Sequence, residues 1–221
     1  MMTLAAAGHG IGNFKFFHPP TLYCGKLELS IGESVQVKPS KPNKNQNLFN
    51  ELQLNKRIKT RKNLVGVNTH MANKIVNHGL KNNLIKELKN NEKIKTEVFF
   101  NKETRFDFLI EQNKKKIFVE VKNVTLFRDK ETAEFPDAIT SRGSKHLLTL
   151  IDAIKKGYKS YLIFLVQIQN MENFKIAKDI DADYYKNYLI AKKAGVNFLA
   201  YRCYINSKKI FIEKKLKIIN E

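Results

Sequence analysis

Two carboxylates and a lysine, Asp107, Glu120 and Lys122, punctuate the run RFDFLIEQNKKKIFVEVK from Arg105 to Lys122. Metal-assisted hydrolysis of a phosphodiester uses these residue types: hard oxygens for a divalent ion, and an amine that orients or deprotonates the attacking water. Magnesium keeps several of its waters and needs few protein ligands, so Asp107, Glu120 and the main-chain carbonyl of Val121 make a sufficient set for Mg, or for Mn. The plainer use of the same residues is a wet face on which Lys122 neutralises two acids. Facing like charges cost roughly 0.2 to 1 kcal/mol without an intervening cation, which leans towards the ion. Spacing alone leaves both readings open.

The elements that must position these residues are legible from periodicity. Phe106, Phe108 and Ile110, then Ile117, Val119 and Val121, recur at every second position, the period of half-buried strands. Gln112, Asn113, Lys114 and Lys115 supply a polar turn between them, which makes a β-hairpin. Asp107, Glu120 and Lys122 are then expected on the face opposite the aliphatic one, in a register where a one-residue slip would reverse every side chain. A helix is expected over 68–80, extended at 84–88, followed by strands at 94–100, 106–110 and 117–122 and a loop to Glu134. Asp137 is expected to cap a helix from Ala138 through Ile154, with Gly157 at its end. That helix would carry Ala138, Arg142 and Lys145 or His146 on one face just inside its N-terminus, where main-chain N–H groups and the dipole favour phosphate. SYLIFLVQIQ, at 160–169, reads as a central strand covered on both faces. A helix at 184–194, ended by Gly195, and strands at 198–205 and 210–213 close the chain. The order implies an α/β (α+β) fold, a mixed sheet flanked by helices.

Bulk properties bound the partners. The 221 residues are 43% hydrophobic, enough for one good core with a small satellite. A formal charge of +19 points to nucleic acid, and DNA is the expected partner. Only six of the 40 cations are arginine, leaving 34 lysines, a skew that an AT-rich coding bias also produces, so position must decide. No apolar run is long enough to cross a bilayer, and MMTLAAAGHG has neither the basic start nor the apolar core of a signal peptide, so a cytoplasmic location without membrane attachment is expected. Cys24 and Cys203 read as separate reduced thiols, and His9, His18 and Cys24 fit no ligand spacing. Before Gly66 the pattern is irregular, with β-like pieces at 27–31 and 34–37 and a loop at 38–47.

Taken together, VNTHMAN (67–73), TRFDF (104–108), EVKNVTL (120–126), FPDAITSRG (135–143), KHL (145–147) and IDADY (180–184) resemble the sugar fermentation stimulation (SfsA) family. Order and spacing agree from about Val65 to Ile218, with a looser similarity back to Gly32. The resemblance implies an OB-like β domain over 1–66 and a PD-(D/E)XK nuclease-like domain over 67–221. The family is described as DNA-binding and linked to the regulation of sugar, notably maltose, metabolism. Asp107, Glu120 and Lys122 fall on the nuclease-like triad, and Glu97, Asp137, Thr140 and Arg142 on further motif positions. Arg105, Arg142, Lys145 and His146 are the expected nucleic-acid contacts. Two departures stand out. His78 occupies a position where the family usually has an acid, and is expected to remove or replace an outer metal contact. The first thirty or so residues match neither the family's RF-containing opening strands nor its HCPNTG motif, so the barrel is expected to be incomplete. Two functions remain open: a DNA-binding regulator whose acids structure the groove, and a magnesium-dependent DNA nuclease.

Overall fold

The computed structural model describes residues 57–59, 63–206 and 209–219. The expected strands at 27–31 and 34–37, the loop at 38–47, Cys24 and most of the expected OB-like domain lie outside the described residues. Three α-helices, a 3-10 turn at Lys86–Leu88 and twelve strands follow in the described parts. A short pair, β1 (Arg57–Lys59) and β2 (Leu64–Gly66), precedes α1 (Met71–Lys81). Then come β3 (Lys93–Phe99), β4 (Arg105–Gln112), β5 (Lys115–Val124), β6 (Leu126–Phe127), β7 (Thr132–Phe135) and α2 (Ser141–Lys155). The chain closes with β8 (Lys159–Val166), β9 (Asn173–Ile176), α3 (Ala182–Lys193), β10 (Asn197–Ile205), β11 (Ile210–Lys215) and β12 (Lys217–Ile218).

The main sheet has the order β11-β10-β8-β5-β4-β3. Its centre, β5, β8 and β10, is parallel, and its margins pair antiparallel. The hairpin between β4 and β5 turns on Asn113 and Lys114, whose φ values of 50° and 60° suit a two-residue turn matched to strand twist. Helices cover both faces. On one, α1 seals Ile75 and Val76 against Phe108, Ile110, Val119 and Ile163; on the other, α2 and α3 seal Leu147, Leu150, Tyr184 and Tyr188 against Leu162 and Phe164. This double coverage explains why β8 is apolar at successive positions. The mixed sheet flanked by helices is the fold class expected. Gly157 and Gly195 end α2 and α3 with φ of 83° and 97°, a conformation that costs glycine little. Cys203 is buried and unpaired by disulfide. No described helix is long and apolar enough to cross a membrane.

Two expectations are corrected. α2 begins at Ser141 rather than Ala138, and its cap is Thr140, whose Oγ1 accepts from Gly143 N–H at 3.0 Å, rather than Asp137. The cause lies in the next layer: Asp181, which caps α3 by accepting from Tyr184 N–H, also accepts the Thr140 N–H at 2.8 Å and holds 136–140 out of the helix. The segment expected as a loop to Glu134 contains β6 and β7, which join β9 and β12 in a second sheet of order β12-β9-β7-β6. Phe164 of the main sheet stacks on Phe174 of this second sheet at 4.3 Å and packs against Phe135 and Phe198. Phe164→Ala should therefore cost about 3 to 5 kcal/mol, as large truncations in sealed cores do, in urea unfolding followed by circular dichroism. A loss below about 1 kcal/mol would show that the two sheets do not depend on this contact.

Candidate functional site

The backbone ladder between β4 and β5 stops at Phe108↔Val119. One step further on, Asp107 accepts the Val121 N–H on Oδ2 at 2.7 Å, so a side chain replaces the missing strand acceptor. Its other oxygen accepts from Asn73 Nδ2 of α1 at 2.7 Å. On the far side, the β3–β4 ladder also omits the pair Glu97 and Asp107, and Glu97 has a φ of 55°. The strict alternation expected for β4 breaks here. Phe108 and Ile110 face the α1 side, while Phe106 crosses into the α2 side and meets Phe118 at 5.1 Å. Asp107 accordingly sits at the crossing where β4 and β5 part, rather than on a flat face opposite the aliphatic one.

Glu120 is 3% exposed. Its Oε1 accepts from Lys122 Nζ at 2.9 Å and is also met by His146 Nδ1, while Lys122 and His146 approach within 3.4 Å of each other. Its Oε2 is buried and has no hydrogen-bond partner among the described residues. Burial pushes the Glu120 pKa up, but the His146 hydrogen bond and the Lys122 ammonium outweigh it and hold the group below the usual carboxylate range. Asp107 goes the other way: burial, then the charge of Glu120, lift it from 3.8 to about 6, against the opposing pull of Val121 N–H and Asn73. The two acids thus sense each other. A buried acceptor left open beside a second carboxylate fits a cation, and the all-oxygen donor set fits a hard one such as Mg, Mn or Ca. Among the described residues no group of three His, Cys, Asp or Glu side chains is arranged as a metal cage. An ion here would rest on Asp107, Glu120, the Val121 carbonyl and water.

These groups line a cleft of about 1150 Å³, walled by the first turns of α1 (His70, Asn73, Lys74) and α2 (Arg142, Lys145, His146). Residues near the N-termini of both helices line it, and α1 has neither a side-chain cap nor an acid in its first turn. Of the expected nucleic-acid contacts, Arg142 is exposed on the wall and makes no ion pair with a described residue. Arg105 and Lys145 lie on the rim, held by Glu97 at 2.8 Å and Glu103 at 2.9 Å. His146 turns inward instead and orients Glu120. Glu97 lines the rim, but Asp137 and Thr140 do not line the cleft; burial raises the Asp137 pKa, and Thr140 serves as the α2 cap. His78 is buried on α1 and does not line the cleft. The helix side chain that reaches the acids is Asn73, inside VNTHMAN but without a chemistry that announces itself.

A family model described as "Sugar fermentation stimulation protein RE domain" matches residues 70–209. The chain is 76% identical over 163 residues to the sugar fermentation stimulation protein homolog of Pelagibacter ubique (strain HTCC1062), covering 74% of this chain and 70% of that one. It is 41% identical over 157 residues to the homolog of Pseudoalteromonas atlantica, covering 70% and 67%. Among solved structures it is similar to Pyrococcus furiosus SfsA in complex with Ca2+, with a TM-score of 0.67, 28% identity, and coverage of 72% of this chain and 69% of that one.

The raised pKa of Asp107 has a signed consequence for stability. The folded state holds this proton more tightly than the unfolded chain does, so ionisation costs stability; the cost is absent below 3.8 and complete above about 6. In metal-free buffer Asp107→Asn should therefore stabilise the protein at pH 8 by on the order of 2 to 3 kcal/mol, with the gain vanishing towards pH 4. Urea unfolding at both pH values measures it. An equal loss at both would mean that the carboxylate serves only as a hydrogen-bond acceptor.

Proposed function

This chain belongs to the sugar fermentation stimulation (SfsA) family, and from that premise we propose that it is a DNA-binding protein acting in the regulation of sugar, notably maltose, metabolism. In this reading the cleft belongs to a nuclease-like core of the PD-(D/E)XK kind spanning 67–221, Asp107 and the Glu120-Val121-Lys122 triplet being its signature. In the same reading the protein works in the cytoplasm. The observation that carries the proposal is the convergence in one cleft of the Asp107 and Glu120 carboxylates, Lys122, and the cationic first turns of two helices.

Each part has a defined task. Arg142 and Lys74, beside the N-terminal ends of α2 and α1, take phosphates of the DNA backbone, with Arg105 and Lys145 released from their rim carboxylates to add to the grip. Asp107, Glu120 and the Val121 carbonyl hold a hard divalent ion, Mg or Mn, of the class that the Pyrococcus furiosus relative was solved with as Ca2+. Such an ion would supply a positive charge that offsets the repulsion between the acids and a Lewis acid for a phosphate oxygen. His146 fixes the rotamer of Glu120, and Asn73 that of Asp107. The second reading, a magnesium-dependent nuclease, is favoured by Lys122, whose ammonium sits beside the acids on the cleft floor, where an amine can orient the attacking water.

Fluorescence anisotropy with labelled DNA at several salt concentrations tests the first reading. Affinity should fall steeply with salt, and Arg142→Glu should weaken binding about tenfold where Lys217→Glu, an exposed site away from the cleft, changes it less than about twofold. Equal losses would assign binding to diffuse charge. For the second reading, Lys122→Ala should abolish cleavage in Mg or Mn while leaving DNA affinity nearly intact. Wild-type protein that cleaves neither single- nor double-stranded DNA with either ion leaves the binder alone standing.

A further inference from the structure

Phe99 is 69% exposed, the one aromatic ring among the large apolar side chains left open to solvent in the described residues. It lies at the end of β3, an edge strand of the main sheet among the described residues, and it lines the cleft. Directly opposite in the ladder is Arg105, whose guanidinium stands 5.7 Å from the ring centroid. Asp107 follows two residues later on the same strand. By contrast its neighbours Phe100, Phe106 and Phe118 pack on one another in tilted and edge-on pairs inside or against the core. A single exposed apolar ring is ordinary on a protein surface; what distinguishes Phe99 is its place at the mouth of a cleft that also presents Lys74, Arg105, Arg142 and Lys145.

The combination has one natural ligand chemistry. A groove that offers cations to a phosphate backbone, with an aromatic face set at its mouth, suits nucleic acid whose bases are unpaired, because every base has a π-face that can stack on the ring. A closed duplex offers no such face except at its ends. The guanidinium of Arg105 adds to the platform, since it is planar, stacks on aromatic faces and bonds phosphate. We propose that the cleft takes single-stranded DNA or a frayed duplex end, with one base stacked on Phe99 and Arg105 and its flanking phosphates directed towards Arg142 and Lys74. The inference rests on the DNA-binding reading and narrows it: Phe99 selects for strand state rather than for base sequence.

The chain contains no tryptophan, so Phe99→Trp places a sole indole reporter at this position. Titration of that variant with oligothymidylate should quench its fluorescence saturably, whereas relaxed, covalently closed circular duplex DNA at equal phosphate concentration, which has neither ends nor unpaired bases, should leave it nearly unchanged. In anisotropy measurements Phe99→Ala should lower single-strand affinity about tenfold, the effect of losing one stacked base, with duplex affinity held within about twofold. Phe99→Tyr should keep the wild-type affinity. A Phe99→Ala variant that loses affinity for both forms equally, or for neither, overturns the inference while the DNA-binding reading stands. Wild-type protein that binds neither form at low salt overturns both. Because Phe99 is exposed, circular dichroism melts of the alanine variant should match wild type, and a lowered melting temperature that accompanies an equal loss for both forms assigns Phe99 to the fold and overturns the inference as well.

Discussion

One main-chain N–H group organises this site. Val121 lies in a strand whose antiparallel partner has turned away, and a buried N–H without an acceptor costs about as much as a lost hydrogen bond. Asp107 supplies the acceptor from its side chain. That substitution lets β4 and β5 part without leaving an unpaired donor, and the opening becomes the floor of the cleft. It also ties the floor to a wall, because the second oxygen of Asp107 holds Asn73 of α1. The consequence is electrostatic: a carboxylate fixed in this position is half-desolvated and close to Glu120, and its pKa rises. Structure and chemical potential at the site therefore come from one bond.

Glu120 is held from the opposite side. Its Oε1 is taken by Lys122 of the same strand and His146 of α2, and its Oε2 is left buried and open. The placement of His146 depends in turn on where α2 begins, which Thr140 and Asp181 fix, and on how the helix is seated over Leu162 and Phe164. An acid locked through one oxygen and open through the other is preorganised for a ligand, since no rotamer search is needed when a cation arrives. The two acids are thus positioned by different helices on opposite faces of the sheet. The cleft lies where those two supports meet.

Much of this was legible in the chain. The hairpin around Asn113 and Lys114, the double-covered strand at SYLIFLV and the three helices follow from periodicity and turn chemistry, and the family motifs pointed to Asp107, Glu120 and Lys122. What escaped did so for tertiary reasons. The crossing of Phe106 to the other core depends on Glu97 adopting a positive φ and on the ladder ending at Phe108, neither of which leaves a trace in hydrophobic spacing. Strands of two to four residues, such as β6 and β9, are too short to display a period, so the second sheet was invisible. His78 looked like the helix residue that mattered because its charge type is unusual, yet an amide five residues earlier makes the contact. The inward turn of His146 reflects the seating of α2 on the sheet, which a helical wheel cannot report.

The central claim is that Asp107 and Glu120 hold one hard divalent cation through an oxygen that the protein itself leaves open. Isothermal titration of the purified chain with Mn2+ at pH 8, set beside Glu120→Gln, addresses it directly. One ion per wild-type chain is expected, with that binding lost in Glu120→Gln, whose amide keeps the shape of the side chain but not its charge. Identical stoichiometry and affinity in the two proteins would contradict it.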